Sequence, residues 1–415
     1  MNLKDFGHLL VHSAILSIFC LFLYPGDFAS FADDNQPSSP PTRCPLVQAE
    51  HISYIGAFRM PNTETPDHAQ RLGYGGSALG YNPDGSSLFI GGHAWYNLLC
   101  EISIPDPLNS GIYEELPMAD LLQGCADVTD GTLHSVKADA RLGGSLVYNH
   151  QLITSAWSYY DADCSQTKTH GISSSLNLSD DSNFSGFSPM STSARPRALA
   201  GYMTIIPVEW QSILGGAALT GLGGTPIISC ASSGVAATVF NPDDVGLENP
   251  IPGNTLLYYP DPENGISDEY FHWLQSTASR GIAFPRGTRS VLFIGQQGET
   301  RCYGTGEACN DPCDSSKGTH SYPYHIKVWA FDANDLVKVK NGEHQPWEIR
   351  PYAVWTLSEL ESSGCASIRS ATFDPREGRL YIAPGYGEKP IIHVYEVTLG
   401  AEKPLAPKNL RVDTE

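Results

Sequence analysis

Positive charge is what this chain has least of: 25 Lys and Arg stand against 45 Asp and Glu in 415 residues, a formal net charge of −20 at pH 7. That balance argues against a nucleic-acid partner, whose phosphates would be repelled. Three familiar catalytic signatures are also missing. The chain has no G-x-S-x-G nucleophile elbow, no H-E-x-x-H zinc helix and no G-x-x-x-x-G-K-[ST] phosphate loop. Long apolar runs are absent after residue 24, so no later segment is suited to cross a membrane.

The one apolar run lies at the start. Lys4 precedes Leu9–Tyr24, and Ser30-Phe31-Ala32 supplies small residues around a cleavage point, so residues 1–32 read as a secretory signal peptide. Cys20 follows bulky Phe19 inside the run, which argues against a lipoprotein site. Residues 33–50, with "DNQPSSPPT" at Asp34–Thr42, form a polar Pro/Ser-rich spacer. The expected destination is secreted, periplasmic or extracellular. Nine cysteines remain after cleavage; in an oxidising compartment they read as disulfides with one left over. Cys302, Cys309 and Cys313 share one loop, where a local bridge is expected, and no fourth soft ligand stands near them to complete a zinc site.

What the chain does have is glycine and proline, 40 and 30 of them, spread along its length. That distribution suits many short strands joined by tight turns. It also has a phrase that recurs. "SALGYNPDGSSLFIGGHAW" begins at Ser77, and "SATFDPREGRLYIAPGY" begins at Ser370, almost 300 residues later. Related stretches begin at Gly144 ("GSLVYNHQLITSAW") and Arg280 ("RGIAFPRGTRSVLFIGQQ"), and a weaker one at Pro226 keeps only the later half of the pattern. Each has a small-residue strand, a Pro/Gly turn, a hydrophobic strand such as Leu88–Ile90 or Leu380–Ile382, and then an alternating strand such as Ile392-Val394-Glu396.

Small, then large, then alternating strands are most of a propeller blade, whose inner strands crowd an axis. The chain is therefore expected to be an all-β protein, a β-propeller of five blades with six or seven as alternatives, the extra ones hidden in 181–225. An outer fourth strand is visible at Glu348–Leu357, whereas the last unit lacks one after Leu399. His51–Met60 is predicted to supply it by pairing with Ile391–Thr398, closing the ring and removing two exposed edges. The propeller domain then spans 51–399 at roughly 70 residues per blade, above the ~40–50 of common repeats. Residues 400–415 form a Pro-rich C-terminal tail.

Four longer stretches, "YGGSALGYNPDGSSLFIGGH", "GYMTIIPVEWQSILGGAALTG", "CYGTGEACNDP" and "KGTHSYPYHIKVWAFDANDL", resemble a family of secreted bacterial β-propeller-like proteins to which no activity is assigned. The likeness covers most of residues 50–398. It departs at Ile228-Ser229-Cys230-Ala231-Ser232, where the family carries "ISRTS" and this chain has no arginine. The resemblance implies a secreted propeller and brings no cofactor or catalytic residue.

Propellers bind at the axial mouth, on loops entering the inner strand and loops joining the second and third strands. Those loops hold Arg71, Tyr74, His134, Arg141, Arg280 and Arg369, together with His93, Trp95, Trp157, Tyr159, Tyr160, His170, Glu299, Arg301, Tyr303, His320, Tyr322 and Tyr386. Arg280 and Arg369 each stand four residues before the Phe of their turn strand, so two guanidinium groups are expected to face one axis. Arginine forks onto carboxylate or sulfate. Arg141, Arg280, Arg369, Tyr74, Trp95, Tyr303, His320 and Tyr386 are thus the candidate ligand-binding residues, for an extracellular glycan, an anionic polysaccharide above all, or a protein ligand. If the site is catalytic, β-elimination places a lyase before a hydrolase, with His93, Tyr159, Tyr160 and His170 as candidate bases. Hydrolysis needs two opposed acids, and Asp127, Asp161, Asp163 and Glu299 are the best available. A scaffold or adhesion module without a small-molecule site is the third reading. No cofactor is expected; Asn310, Asp311 and Asp314 could hold a structural calcium, although they lack the glycine and glutamate of an EF-hand loop.

Overall fold

In the first recurring phrase, the Asn82 side chain accepts the Asp84 N–H at 3.1 Å; in its distant cousin, the Asp374 carboxylate accepts the Arg376 N–H at 2.8 Å. Each side chain bonds to the backbone two residues on and so sets a tight reversal between two strands. The same words are repeated because the same hairpin is repeated.

A computed structural model describes residues 40–62, 68–224, 230–260, 278–300, 302–361, 364–385 and 387–399. The expected signal peptide, residues 33–39 of the spacer and the C-terminal tail lie outside these residues, as do Arg301 and Tyr386.

Four successive antiparallel strands make each unit. The first contains β2 (Gly80–Asn82), β3 (Ser87–Gly91), β4 (Leu99–Ser103) and β5 (Leu121–Ala126). The second contains β6 (Ala140–Tyr148), β7 (Gln151–Ser158), β8 (Lys168–Ser173) and β9 (Ser188–Ser191); the third, β10 (Tyr202–Ile205), β11 (Ala218–Gly221), β12 (Ala237–Phe240) and β13 (Ile251–Leu257). In the fourth, β14 (Ala278–Ala283), β15 (Ser290–Gly298), β18 (Tyr324–Asp332) and β19 (Ala353–Thr356) are interrupted by a hairpin of β16 (Cys302–Gly304) and β17 (Gly318–His320). The last unit has β20 (Ile368–Asp374), β21 (Arg379–Pro384) and β22 (Ile391–Val397), and it is completed by β1 (Ile52–Arg59). Strand β1 runs antiparallel to β22 from Ile52 opposite Val397 to Arg59 opposite Ile391, the predicted closure.

Inner strands β2, β6, β10, β14 and β20 pack in succession, and β20 returns to β2. The approach is close enough to demand glycine: a Cβ on Gly144 would lie 2.1 Å from the Gly201 carbonyl oxygen. Apolar side chains fill the space between neighbouring units all the way round. Phe89, Leu142 and Leu152 join the first two; Ile153, Met203 and Phe240 the next two; Trp210, Phe293 and Trp329 the third and fourth. Leu292, Val328, Leu380 and Ile382 join the fourth to the last, and Phe58, Leu88, Tyr381 and Ile392 seal the last against the first. The chain is a β-propeller, and among the described residues its pairing makes five four-stranded units. Residues 181–225 hold no extra unit: they supply β9 to one blade and β10 and β11 to the next. The third blade's first half escaped the repeat pattern because helix α1 (Val208–Leu214) stands where the other blades have a Pro/Gly turn. Trp210 of α1 is fully buried, and its indole N–H donates to the Thr288 carbonyl at 2.9 Å.

Disulfides join Cys100 to Cys125, Cys164 to Cys230, Cys302 to Cys309 and Cys313 to Cys365, and Cys44 is buried. Four disulfides are compatible with an oxidising compartment. No described helix is long and apolar enough to cross a membrane.

Candidate functional site

A register irregularity recurs at the start of the inner strands. Pairing skips one residue between Leu142 and Gly144 in β6, between Ser279 and Gly281 in β14, and between Ile368 and Ser370 in β20. The skipped residues of β14 and β20 are Arg280 and Arg369. A bulge bends its strand and re-aims the side chain of the extra residue. The shared place of these two arginines in the sequence is therefore a shared place in the sheet.

Both arginines line a cavity of about 450 Å³ at the mouth where the inner strands begin. The inner strands and their entering loops contribute Ser77, Arg141, Leu142, Gly143, Gly201, Tyr202, Arg280 and Arg369; the ends of second strands and the loops after them contribute Ala94, Trp95, Asn97, Trp157, Tyr159 and Leu222. Three arginines and four aromatic rings thus meet in a wall that includes no Asp or Glu among the described residues. Arg280 Nη1 donates to the carbonyls of Gly223 (3.0 Å) and Ser279 (3.3 Å), and Arg141 Nη1 donates to that of Ala140 (3.2 Å). Backbone carbonyls help orient these guanidinium groups. On the floor, the buried Tyr202 hydroxyl donates to the Ala236 carbonyl at 2.9 Å and lies 3.0 Å from Ser279 Oγ; burial pushes its pKa up to about 12. It is held as a neutral phenol.

Aromatic side chains flank the mouth. Trp95 is 79% exposed and meets His93 edge-on at 5.6 Å between centroids, while His93 also packs against Tyr74 and Tyr96. His93 stands behind Trp95, and its Nδ1 accepts the Trp95 N–H at 3.3 Å. Tyr74 reaches away to donate to Glu388 at 3.2 Å. On the neighbouring blade, Tyr160 stacks edge-on against Tyr159 at 4.8 Å, and both are exposed.

Other candidates fall elsewhere. His170 is fully buried, with Nδ1 2.9 Å from Thr169 Oγ1 and Nε2 3.0 Å from Thr220 Oγ1. It is a bridge between the second and third blades, and burial pushes its pKa down to about 3. A base needs an open face toward substrate, which His170 lacks. Tyr303 and His320 belong to the β16–β17 hairpin rather than the cavity wall. His320 is buried, with Nδ1 3.1 Å from Asp311 and Nε2 facing the carbonyls of Gly304 (2.9 Å) and Ser316 (2.8 Å). The carboxylates singled out for hydrolysis already have partners outside the cavity wall. Asp127 accepts from Thr129 and Gly131, Asp161 and Asp163 both face Lys137, and Glu299 faces His325. Asp311, weighed for calcium, instead receives the Tyr324 hydroxyl at 2.6 Å and the Cys313 N–H at 2.8 Å. Among the described residues, no group of three His, Cys, Asp or Glu is arranged to hold a metal ion.

Two other hollows differ in character. At the opposite end of the inner strands is a depression of about 60 Å³ between Tyr81, Met203 and Phe373. A larger groove of about 700 Å³ runs beside β1 on the outer rim, past Tyr54, Tyr113 and His393. Neither has an arginine in its lining. The axial cavity is smaller than the rim groove, yet it alone of the three gathers cationic side chains.

One residue escaped the sequence reading. Arg197, in the 3-10 turn Pro196–Leu199 leading into β10, donates from Nε to the Ser158 carbonyl at 3.0 Å. Its guanidinium carbon lies 4.8 Å from the centroid of Trp157. The clue was present, since this turn is the entering loop of the third blade, but that blade's start went unrecognised.

No protein-family model matches the chain, and no curated protein sequence matches it. Its fold is similar to solved structures at low identity. A glycosyl hydrolase from Bacteroides ovatus is 10% identical over 84% of this chain and 96% of that one, with a TM-score of 0.37. A mutant α-L-arabinanase from Cellvibrio cellulosa is 10% identical over 78% and 91%, at 0.38. A DUF4221 member from Bacteroides vulgatus is 11% identical over 82% of each chain, at 0.33. At these values no residue, activity or substrate transfers to this chain.

Proposed function

We propose that this protein is a secreted β-propeller that recognises an anionic extracellular polysaccharide at its axial mouth. One observation carries the reading: a chain of net charge −20 gathers Arg141, Arg280 and Arg369 in one cavity whose described lining includes no carboxylate. Uronate carboxylates or sulfate groups fit guanidinium forks. Trp95, Trp157 and Tyr159 supply the flat apolar faces on which sugar rings stack. A hydrogen bond to a charged group contributes about 1.5–3 kcal/mol, so removing one arginine should weaken binding roughly tenfold or more.

A second reading, β-elimination, is favoured by Tyr159, which shares the cavity with Arg280. There a tyrosinate would take the proton next to the uronate carboxylate. The bond to the leaving sugar oxygen would break with return of that proton from the phenol to the oxygen, and a carbon–carbon double bond would remain. Hydrolysis by paired acids is less well supported, because Asp127, Asp161, Asp163 and Glu299 are not in the cavity wall.

Titration calorimetry with polygalacturonate and alginate tests the reading, run alongside absorbance of unsaturated products. Binding that weakens in Arg280→Ala and Arg369→Ala without absorbance change supports recognition alone. Rising absorbance that disappears in Tyr159→Phe supports the lyase. Indifference to both polymers and to a sulfated glycan sinks the anionic-glycan reading and leaves the scaffold.

A further inference from the structure

We infer that Arg197 is a fourth guanidinium of the axial site, and that it makes the site select a ligand bearing two neighbouring negative charges over one bearing a single charge. This rests on the anionic-glycan reading and narrows its ligand class to acidic oligomers.

Arg197 is 7% exposed, and its Nη1 is buried without a hydrogen-bond partner among the described residues. It lies over Trp157, which lines the cavity. The two carboxylates whose charge reaches it are already engaged. Asp139 accepts the Ser158 hydroxyl (2.9 Å) and the Tyr160 N–H, while Asp161 accepts Lys137 Nζ and the N–H groups of Ser165 and Gln166, each at 3.0 Å. A buried cation with an unmet donor is costly unless something completes it. Burial first, and then repulsion from the Arg280 charge, push its pKa down to about 9, so it remains cationic at neutral pH. An anion settling near both arginines relieves that repulsion.

A single carboxylate on Arg280 would relieve part of this strain. A second, one sugar along and beside Trp157, would offset the field of Arg197. A polyuronate offers this pair, whereas a free uronic acid does not. Arg197 is therefore a positioning residue: it holds the Trp157 ring and biases the cavity by its charge.

The test compares galacturonate with trigalacturonate, by calorimetry, on the full chain. Wild type should prefer the trimer by more than the statistical factor of its three units. Arg197→Met should weaken trimer binding about tenfold while leaving the monomer within about twofold, and Arg197→Lys should restore part of the loss. Equal wild-type affinity for monomer and trimer overturns the inference but leaves the anionic site standing. So does an Arg197→Met variant that weakens both probes alike, or neither. If wild type binds neither probe, the inference falls, and the anionic-glycan reading is decided by the polymer and sulfated-glycan titrations. Should Arg197→Met fail to fold, wild type still decides. The trimer's advantage must shrink as salt rises, because charge produces it, and an advantage indifferent to salt overturns the inference.

Discussion

Replacing Phe58 by Ala should destabilise the whole propeller. Phe58 lies in β1, is fully buried, and packs in a cluster built from the first blade (Leu79, Leu88, Ile90, Ile102) and the last (Tyr381, Ile392, Val394). Truncating a buried Phe to Ala costs about 3–5 kcal/mol. Since domains of this kind are stable by about 5–15 kcal/mol, that is a third or more of the total for many of them. The energy is lost at the seam where the two ends of the sheet sequence meet. Guanidinium unfolding followed by tryptophan fluorescence should show a lower midpoint with an unchanged slope. Hydrogen exchange should then accelerate in β22, Ile391–Val397, as well as in β1. Val354→Ala, at a 44%-exposed residue of β19, serves as a control and should stay within about 0.5 kcal/mol. A loss below about 1 kcal/mol for Phe58→Ala refutes the argument. So does exchange that quickens in β1 alone, because the last blade would then stand without its N-terminal strand.

Three further outcomes follow from other parts of the molecule. His320 is buried, which alone would lower its pKa, but Asp311 and the carbonyls of Ser316 and Gly304 outweigh this and raise it above 6.5. Its stabilisation is therefore complete below about pH 6.5 and fades as pH rises through the higher folded value. The melting-temperature gap between wild type and His320→Gln should narrow across that window, and a constant gap contradicts the assignment. Gly144→Ala places a Cβ 2.1 Å from the Gly201 carbonyl, backbone against backbone, so the inner strands must part; calorimetric melting should show a loss of about 3 kcal/mol or failure to fold, and a silent substitution would mean a looser axis. Trp95→Ala, at a 79%-exposed side chain, should leave unfolding within about 0.5 kcal/mol of wild type yet weaken polyuronate binding roughly tenfold, with no change in affinity counting against the sugar-stacking role.

The frame was legible because its signals are local. A turn residue such as Asn82 or Asp374 acts on a backbone N–H two residues away, and the alternating Ile392-Val394-Glu396 marks the third strand of its blade. Closure by His51–Met60 could be anticipated for the same reason: a unit lacking its last strand and a spare strand at the other end imply one another. The third blade was half hidden because α1 replaced the turn that marks the others, and Arg197 was hidden with it. Site residues were legible only where they share a repeat position. Arg280 and Arg369 could be paired because each is the bulged residue of its own strand. His170 and His320 occupy loops or strand ends of the right kind, but sequence does not show that each is enclosed by hydrogen-bond partners contributed from a distance of 50, 16 or 9 residues.

The distribution of charge joins the frame to the site. A surplus of acids would ordinarily repel an anionic polymer, and the formal charge of −20 makes a long-range attraction impossible to invoke. The proposed recognition of such a polymer would then have to be short-range, at distances where screening by salt and by the protein body removes the remote acids from account. The propeller supplies that condition by bringing the starts of several inner strands to one mouth, where repeated bulges present arginine and the acids of adjoining loops are taken up elsewhere. Asp161 and Asp163 are engaged by Lys137, and Asp127 by its own turn. The local sign of the cavity is thereby separated from the net sign of the chain, so the net charge alone does not decide which anionic ligands this mouth can take.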